Sequence, residues 1–418
     1  MAADNGETAM VQQKPRAVGG VFLALVATVL LATISCRHTT PQPDDRYTRA
    51  LPDGAYALTR VTDPRELPNL RYLAPIDADL IGALDQSISY FQKPSSQQHF
   101  PYELPDRTIT HEVQVESLAA LRSALLRVQS PDALRRLIER DFDVSRSVGW
   151  DGVRGDVLFT AYYTPILRGS LRRHGPYQYP LYRRPPDLVA TEDGQPLGRR
   201  TANRDVVPYY TRAEIERGDL LAGHELVYLD DPFDAFLVHV QGSASILLDE
   251  GAELHVGYAG KTDRPYQSIG QELVRTGKIR AEEISLTKIR DYLARNPREL
   301  RTTLHKNPCF VFFQEGEPGP FGSIGVRVTP RHTIATDKSV FPRGGPVIVA
   351  TSLPEPGHEQ RARPHVGVYF DQDTGGAIRS AGRADLYLGR GADAERLAGH
   401  TRHEGRLYYL FLKESGTP

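Results

Sequence analysis

Asp371–Gly391 reads DQDTGGAIRSAGRADLYLGRG. Asp373 precedes Thr374 and the pair Gly375-Gly376. Two glycines after an Asp let the backbone turn and approach another group closely. Twelve residues on, Asp385 opens an apolar, strand-like run of Leu386, Tyr387 and Leu388. Desolvation among such side chains disfavours the charged form and raises a carboxylate's pKa. A carboxyl that stays protonated near neutral pH can serve as a general acid. The same local pattern also fits a solvated turn Asp and an Asp bonded to its own backbone.

Outward from this stretch, the chain beyond Cys309 reads as strand and turn. Candidate strands are Cys309–Phe313, Val326–Thr329, Val347–Thr351, Val366–Phe370, Asp385–Leu388 and Leu407–Leu412. Short strands divided by Gly and Pro predict a small β-barrel or sandwich. Asp337, in Ile334–Pro342 (IATDKSVFP), sits between an apolar strand and a turn. Upstream, Val157–Tyr163 (VLFTAYY) is β-branched and aromatic, and Pro165 stops it. Phe236–Val240 reads as a strand. Helical spacing predicts helices over Asp77–Phe91 and Val115–Arg127. Ser130-Pro131 starts another, running to about Asp141. Thr211–Glu214 is a capping box. Further helices are predicted over Tyr266–Arg275, Leu286–Ala294 and Pro297–Leu304.

The whole chain has 418 residues and a formal net charge of −1. At roughly 100–200 residues per domain this predicts two or three domains. A balanced charge lacks the basic footprint expected for nucleic acid. Two cysteines exclude a disulfide scaffold and a Cys-rich zinc site. The 13 histidines are scattered without an HExxH, so no metal site is predicted. Cys309 reads as a core thiol, and Ser243 and Ser268 lack a nucleophile elbow. Gly316–Gly325 does not lead into a phosphate-binding helix. No cofactor is implied.

Residues 1–16 carry Lys14 and Arg16, and Ala17–Ser35 is an uncharged run ending at Cys36. A basic region, an apolar region and small residues before the cut describe a secretory signal, residues 1–35. It resembles a bacterial lipoprotein signal, cleaved before Cys36 with the thiol then acylated, although Thr33 stands where Leu is usual. The alternative is an uncleaved anchor. Buried methylenes contribute ~0.8 kcal/mol each, so several acyl chains give durable anchoring. Arg37 after the cysteine favours the outer membrane by resemblance to sorting rules. Residues 36–48 read as a polar linker.

Three clusters together resemble the membrane-bound lytic transglycosylase A family of bacterial cell-wall enzymes. The first is Phe159–Pro165 (FTAYYTP) with Tyr177–Pro186; the second is Val240–Ala244 (VQGSA) with Tyr258–Gly270; the third is Ala335–Pro342 with Asp373–Gly389. The resemblance covers roughly residues 150–412. It implies a mainly β fold with peripheral helices: a double-psi β-barrel, a second smaller β domain inserted in it, and a groove between them for a glycan strand. The barrel domain would take residues 49–165 and 313–418, and the insert residues 166–312.

The implied reaction cleaves the MurNAc-β-1,4-GlcNAc bond of peptidoglycan without water and leaves a 1,6-anhydro sugar. Hydrolases normally place two carboxylates about the bond. Here a tethered C6 hydroxyl replaces the activated water, so one carboxyl suffices. By family position that acid is Asp385, with a pKa near ~6 suiting both proton transfers. Asp373 would tune or orient it, and Asp337 would support. The resemblance also implies glycan contacts by Tyr162, Tyr163, Thr164, Gln241, Gly242, Ser243, Tyr258 and Lys261. Two departures stand out: Ala161 where the family tends to have Gly, and no His in Ser380–Arg383. Competing readings are an inverting hydrolase on the same fold and a non-catalytic wall-binding lipoprotein. A monomer is expected, with a wall-synthesis complex as a possible partner.

Overall fold

The computed structural model describes residues 45–414, apart from 129, 192, 193 and 318. The predicted signal, Cys36 and most of the linker lie outside the described residues. The linker's last four residues, Asp45–Thr48, form a 3-10 turn rather than solvated chain. Tyr47 there is buried, its ring 6.2 Å from that of Trp150. Among the described residues no helix is long and apolar enough to cross a membrane.

Six strands close into a barrel: β1 (Val157–Thr164), β2 (Thr333–Ala335), β3 (Pro346–Glu355), β4 (His358–Asp373), β5 (Arg383–Arg390) and β6 (Arg402–Leu412). Their order around the barrel is β6-β3-β4-β2-β5-β1, and β1 returns to pair with β6. The pairs β2·β4 and β5·β1 are parallel and the rest antiparallel. The strand Phe142–Ser147 adds to β6 outside the ring.

Residue alternation explains why these strands read as apolar runs. Val347, Val349, Tyr369, Leu386 and Tyr409 fill the barrel interior. Ile348, Val368, Phe370, Tyr408 and Leu410 face outward, against helices Ala78–Phe91, His111–Leu125 and Pro131–Asp141. A strand covered on both faces loses its polar half. Ser130 caps the third helix as predicted, and Asp77 and Thr110 side chains likewise accept from backbone N–H groups at the starts of the other two, the second beginning at His111 rather than Val115.

A second sheet of six strands runs Val311–Glu315, Glu253–Lys261, Ser243–Leu248, Ile166–Ser170, Glu225–Leu229, Tyr179–Tyr182. The chain passes from β1 into it across Pro165 alone, whose carbonyl accepts from Ser245 N at 2.9 Å. The barrel strand and the insert are therefore joined without slack.

Three expected elements differ. Phe236–Val240 lies in a helix, Pro232–Gln241. Asp231 caps its start, Pro232 stands first, and Gly242 ends it at φ 79°. This helix is wedged between the second sheet, the helical cluster around Ile269 and Leu293, and Tyr163, so its run Ala235–Val238 is apolar and buried without a break and mimics a buried strand. Val326–Thr329 joins neither sheet: Arg327 makes an isolated antiparallel bridge with Phe321, flanked by bonds from Val328 N to Pro320 O and from Gly322 N to Val326 O. Gly391–His400 is a helix within what reads as all strand and turn. Its neighbours Arg390 and Gly391 hide the start, since Arg390 supplies no side-chain cap.

Nothing lies within 4 Å of where a methyl on Gly242 would sit, so the left-handed backbone alone resists substitution. Gly242→Ala is expected to cost about 1 kcal/mol, read from the urea midpoint. An unchanged midpoint would show that the cap does not need the left-handed conformation.

Candidate active site

β2 is short, and its last residue does most to build the site. Ala335 pairs with Asp373 on β4 and with Asp385 on β5. Asp385 in turn pairs with Thr160 on β1. Asp373, Ala335, Asp385 and Thr160 thus form one row across four strands. At about 4.8 Å per strand the two aspartates stand roughly 10 Å apart along the backbone.

Asp385 keeps some surface open to solvent while protein packs around its carboxyl. Thr160 Oγ1 donates a short hydrogen bond to its Oδ1. Burial pushes the carboxyl up to about 6; Arg383 opposes this and the negative Asp373 adds to it. Asp373 is also raised, by burial first. Three donors oppose that rise: Tyr162 Oη at 2.7 Å, Thr374 N at 2.8 Å and Ser323 N at 2.9 Å. The nearby Lys338 ammonium works in the same direction. The outcome is two carboxyls in unlike settings, one richly bonded and one held by a single hydroxyl. Environments that differ this way separate acid from helper.

Asp337 is buried and does something else. Its Oδ2 accepts from Ser380 N at 2.7 Å, and its Oδ1 from Ser339 Oγ at 2.7 Å and Ser339 N at 3.0 Å. Ser380 has φ 67°, a conformation few non-glycine residues adopt. Asp337 therefore fastens the turn that leads into β5. Neither Gly375 nor Gly376 of the double glycine has a positive φ. Gly376 instead faces Lys261, whose Nζ lies 3.7 Å from where a methyl would stand. Ala161 is in ordinary strand conformation, with its methyl packed toward the barrel core.

On β1, Thr160 and Tyr162 point to the same side as Asp385. Tyr162 is partly exposed, and its ring lies 5.1 Å from that of Tyr387. Tyr163 corrects the expectation of a sugar contact. It is 1% exposed and packs with Leu237 and Ala394. Strand alternation turns it away from its neighbour Tyr162. Thr164 is likewise buried, 2.9 Å from the Tyr387 hydroxyl. Both are supports of the wall rather than its surface.

Gln241, Gly242 and Ser243 lie where the helix Pro232–Gln241 meets the second sheet, all partly exposed. Gln241 Oε1 accepts from Tyr163 N at 3.1 Å, tying this corner to β1. Tyr258 is 47% exposed on the strand Glu253–Lys261. Burial pushes its phenol up to about 12. Lys261 ends that strand, its amine lowered by burial.

Sequence reasoning missed two groups. Tyr266 is partly exposed, and its phenol feels the charges of Arg383 and Asp385. It opens the segment YQSIG (266–270), where an aromatic beside Ser and Gly is the available signal. The other is a buried ion pair, Lys338 with Asp371, directly behind the row. Asp371 Oδ2 also accepts from Tyr409 Oη at 2.6 Å and Thr336 Oγ1 at 2.7 Å. Neither residue had a local pattern to mark it.

Comparison with known proteins gives the same fold. The family model described as MltA specific insert domain matches residues 158–314, and the one described as 3D domain matches residues 332–411. The membrane-bound lytic murein transglycosylase A of Vibrio cholerae is 33% identical over 274 residues, spanning 65% of this chain and 69% of that protein. The Escherichia coli K12 protein of that name is 33% identical over 259 residues, 61% of this chain and 66% of its own. Among solved structures, a membrane-bound lytic murein transglycosylase from Agrobacterium tumefaciens superposes with TM-score 0.71 at 27% identity, covering 85% and 98% of the two chains. E. coli MltA with bound chitohexaose superposes at 0.66 and 26% identity, covering 89% and 100%. Fold and matches define an enzyme of the lytic transglycosylase class. The chain belongs to the membrane-bound lytic murein transglycosylase A family.

Removing one partner of a buried pair leaves the other charge uncompensated. Lys338→Met is expected to cost ~3–5 kcal/mol in urea unfolding. Adding Asp371→Leu should recover most of it. If the double variant is as unstable as the single, the charge is not the cause.

Proposed function

We propose that this enzyme cleaves the β-1,4 bond between N-acetylmuramic acid and N-acetylglucosamine in peptidoglycan, leaving 1,6-anhydro ends, with Asp385 as the single acid and then base. The observation that carries this is the setting of Asp385: a carboxyl pushed up to about 6 by burial, on a row that also holds Asp373. Asp385 gives its proton to the leaving glycosidic oxygen as the C1–O bond breaks. The C6 hydroxyl of the same muramic residue closes on C1. Its proton passes to the Asp385 carboxylate, which restores the starting state. No water enters, and the attacking hydroxyl is already tethered, so its proximity replaces a second activating group.

Thr160 orients the acid, and Asp373 raises its affinity for the proton through its own negative charge. The Tyr162 hydroxyl favours the charged form of Asp373 against the burial that disfavours it. Asp337 acts at one remove, by setting the turn into β5. Tyr162, Tyr258 and Tyr266 are the aromatic surfaces that can meet sugar rings, with Gln241, Gly242 and Ser243 at the opposite corner. A lipid on Cys36 would tether the enzyme to the outer membrane facing the wall, and the soluble portion would act as a monomer. The domain division at residues 49–165, 166–312 and 313–418 is retained in this reading.

Product analysis on purified murein tests the reaction. Mass spectrometry should find ends lacking added water. Hydrated reducing ends would instead support the inverting hydrolase, and no cleavage with retained pelleting a wall-binding protein. Asp385→Asn is expected to lower kcat by about 10²–10⁴-fold; near-full turnover would remove Asp385 from its role.

The pH profile has a fixed sign. Asp385 must be protonated to act as the acid, so kcat is expected to fall as pH rises through about 6. Tyr162→Phe removes a donor that favours charged Asp373. Asp373 then holds its proton more firmly, its negative charge fades, and Asp385 becomes a stronger acid. The falling limb should therefore move to lower pH; a move to higher pH would contradict this coupling.

A further inference from the structure

Between the barrel and the second sheet lies a cavity of about 330 Å³. Its wall includes Lys261, Arg264 and Tyr266 from the insert and Gly376 and Arg379 from the loop joining β4 to β5. Three cations face it against the single carboxylate of Asp263. That carboxylate accepts from Tyr209 N at 2.8 Å, and Arg264 Nε donates to Tyr209 O at 2.7 Å.

Lys261 and Arg379 are differently placed. Among the described residues no acceptor lies within hydrogen-bond distance of the Lys261 amine. The Arg379 guanidinium stands 3.9 Å from Asp337 Oδ1, whose oxygens already take bonds from Ser339 and Ser380. Burial first, and Arg379 after it, disfavour the charged form of Lys261, while the neighbouring Cys309 thiol favours it. The Arg379 side chain is 46% exposed, so its guanidinium is open to a ligand entering the cavity, and an anion seated beside Lys261 would relieve the repulsion between the two cations. Opposite Lys261 stands Gly376, which leaves the approach open. Tyr266 belongs to both places: its ring lines the cavity, and its phenol lies in the field of Asp385.

We propose that this cavity is a carboxylate subsite, in which Lys261 and Arg379 grip an acidic substituent of the glycan strand while the scissile bond lies at Asp385. This rests on the peptidoglycan reading above and adds to it which part of the substrate is recognised. Guanidinium and ammonium groups bind carboxylates through charge-assisted hydrogen bonds, the strong class of such contacts. Murein offers that chemistry from two sources: the lactyl group of muramic acid when no peptide is attached, and the free carboxylates of the peptide when one is. A neutral N-acetylglucosamine chain offers neither.

Binding is measured by calorimetry on the Asp385→Asn protein, so that no ligand is consumed. The probes are a neutral N-acetylglucosamine hexamer, a peptide-free muramyl strand, a peptide-bearing strand, and the last two with carboxylates amidated. At least one acidic strand should bind about tenfold tighter than its amidated form. Preference with the peptide-free strand identifies the lactyl carboxylate as the source. Preference confined to the peptide-bearing strand identifies the peptide. In the same background Lys261→Met and Arg379→Met should each erase most of that ratio, and Lys261→Arg should keep it. A variant that only loosens the fold would weaken the hexamer and both forms of each strand alike. The subsite is overturned if neither acidic strand is preferred, or if the ratio survives both methionine substitutions. Anhydro ends from the wild-type enzyme are scored separately, so the subsite and the reaction can fail independently.

Discussion

The pairing of Ala335 with an aspartate on each side is the constraint from which the site follows. Backbone hydrogen bonds, not side-chain preference, set the spacing of Asp373 and Asp385. Because the barrel closes on itself, the three strands concerned have no edge at which to slip. The carboxyls are thereby held in a partly dry setting that flexible loops could not maintain. Preorganised charge of this kind is worth more in a poorly solvated cleft than in water.

Behind that row the structure places a second, hidden layer of charge. Lys338 and Asp371 are buried together with Thr336 and Tyr409 bonded to the same carboxylate. Such a pair is weak evidence for stability, since desolvation offsets much of the attraction. Its electrostatic effect is clearer: the Lys338 ammonium favours the charged form of Asp373. The barrel interior thus touches the chemistry through one intervening carboxylate.

Much of this was legible in the chain. The DTGG and DLYL segments marked two of the aspartates, and apolar runs marked the barrel strands that carry them. The helices Ala78–Phe91 and Pro131–Asp141 were legible because their caps and spacing are local. What was hidden depends on neighbours. Phe236–Val240 looked like a strand because its apolar residues pack against three different partners, burying Phe236 to His239 and leaving only Val240 exposed. Tyr162 and Tyr163 look alike in sequence, yet alternation on β1 sends one to the cleft and the other into the core. Lys338 and Asp371 lie 33 residues apart, and no local pattern connects them. The bond of Asp337 to Ser380 likewise joins residues 43 apart, and no local pattern announces it.

The junction at Pro165 has a consequence for how the two sheets can move. With one residue between β1 and the strand Ile166–Ser170, and a backbone bond from Ser245 across it, the two sheets cannot draw apart at this crossing. Any opening of the cleft must pivot about it, swinging from the other end, where the return path through residues 316–332 is longer. The glycan would then be admitted as into a clamp fixed at its jaw's root, with the acid close to the stationary side.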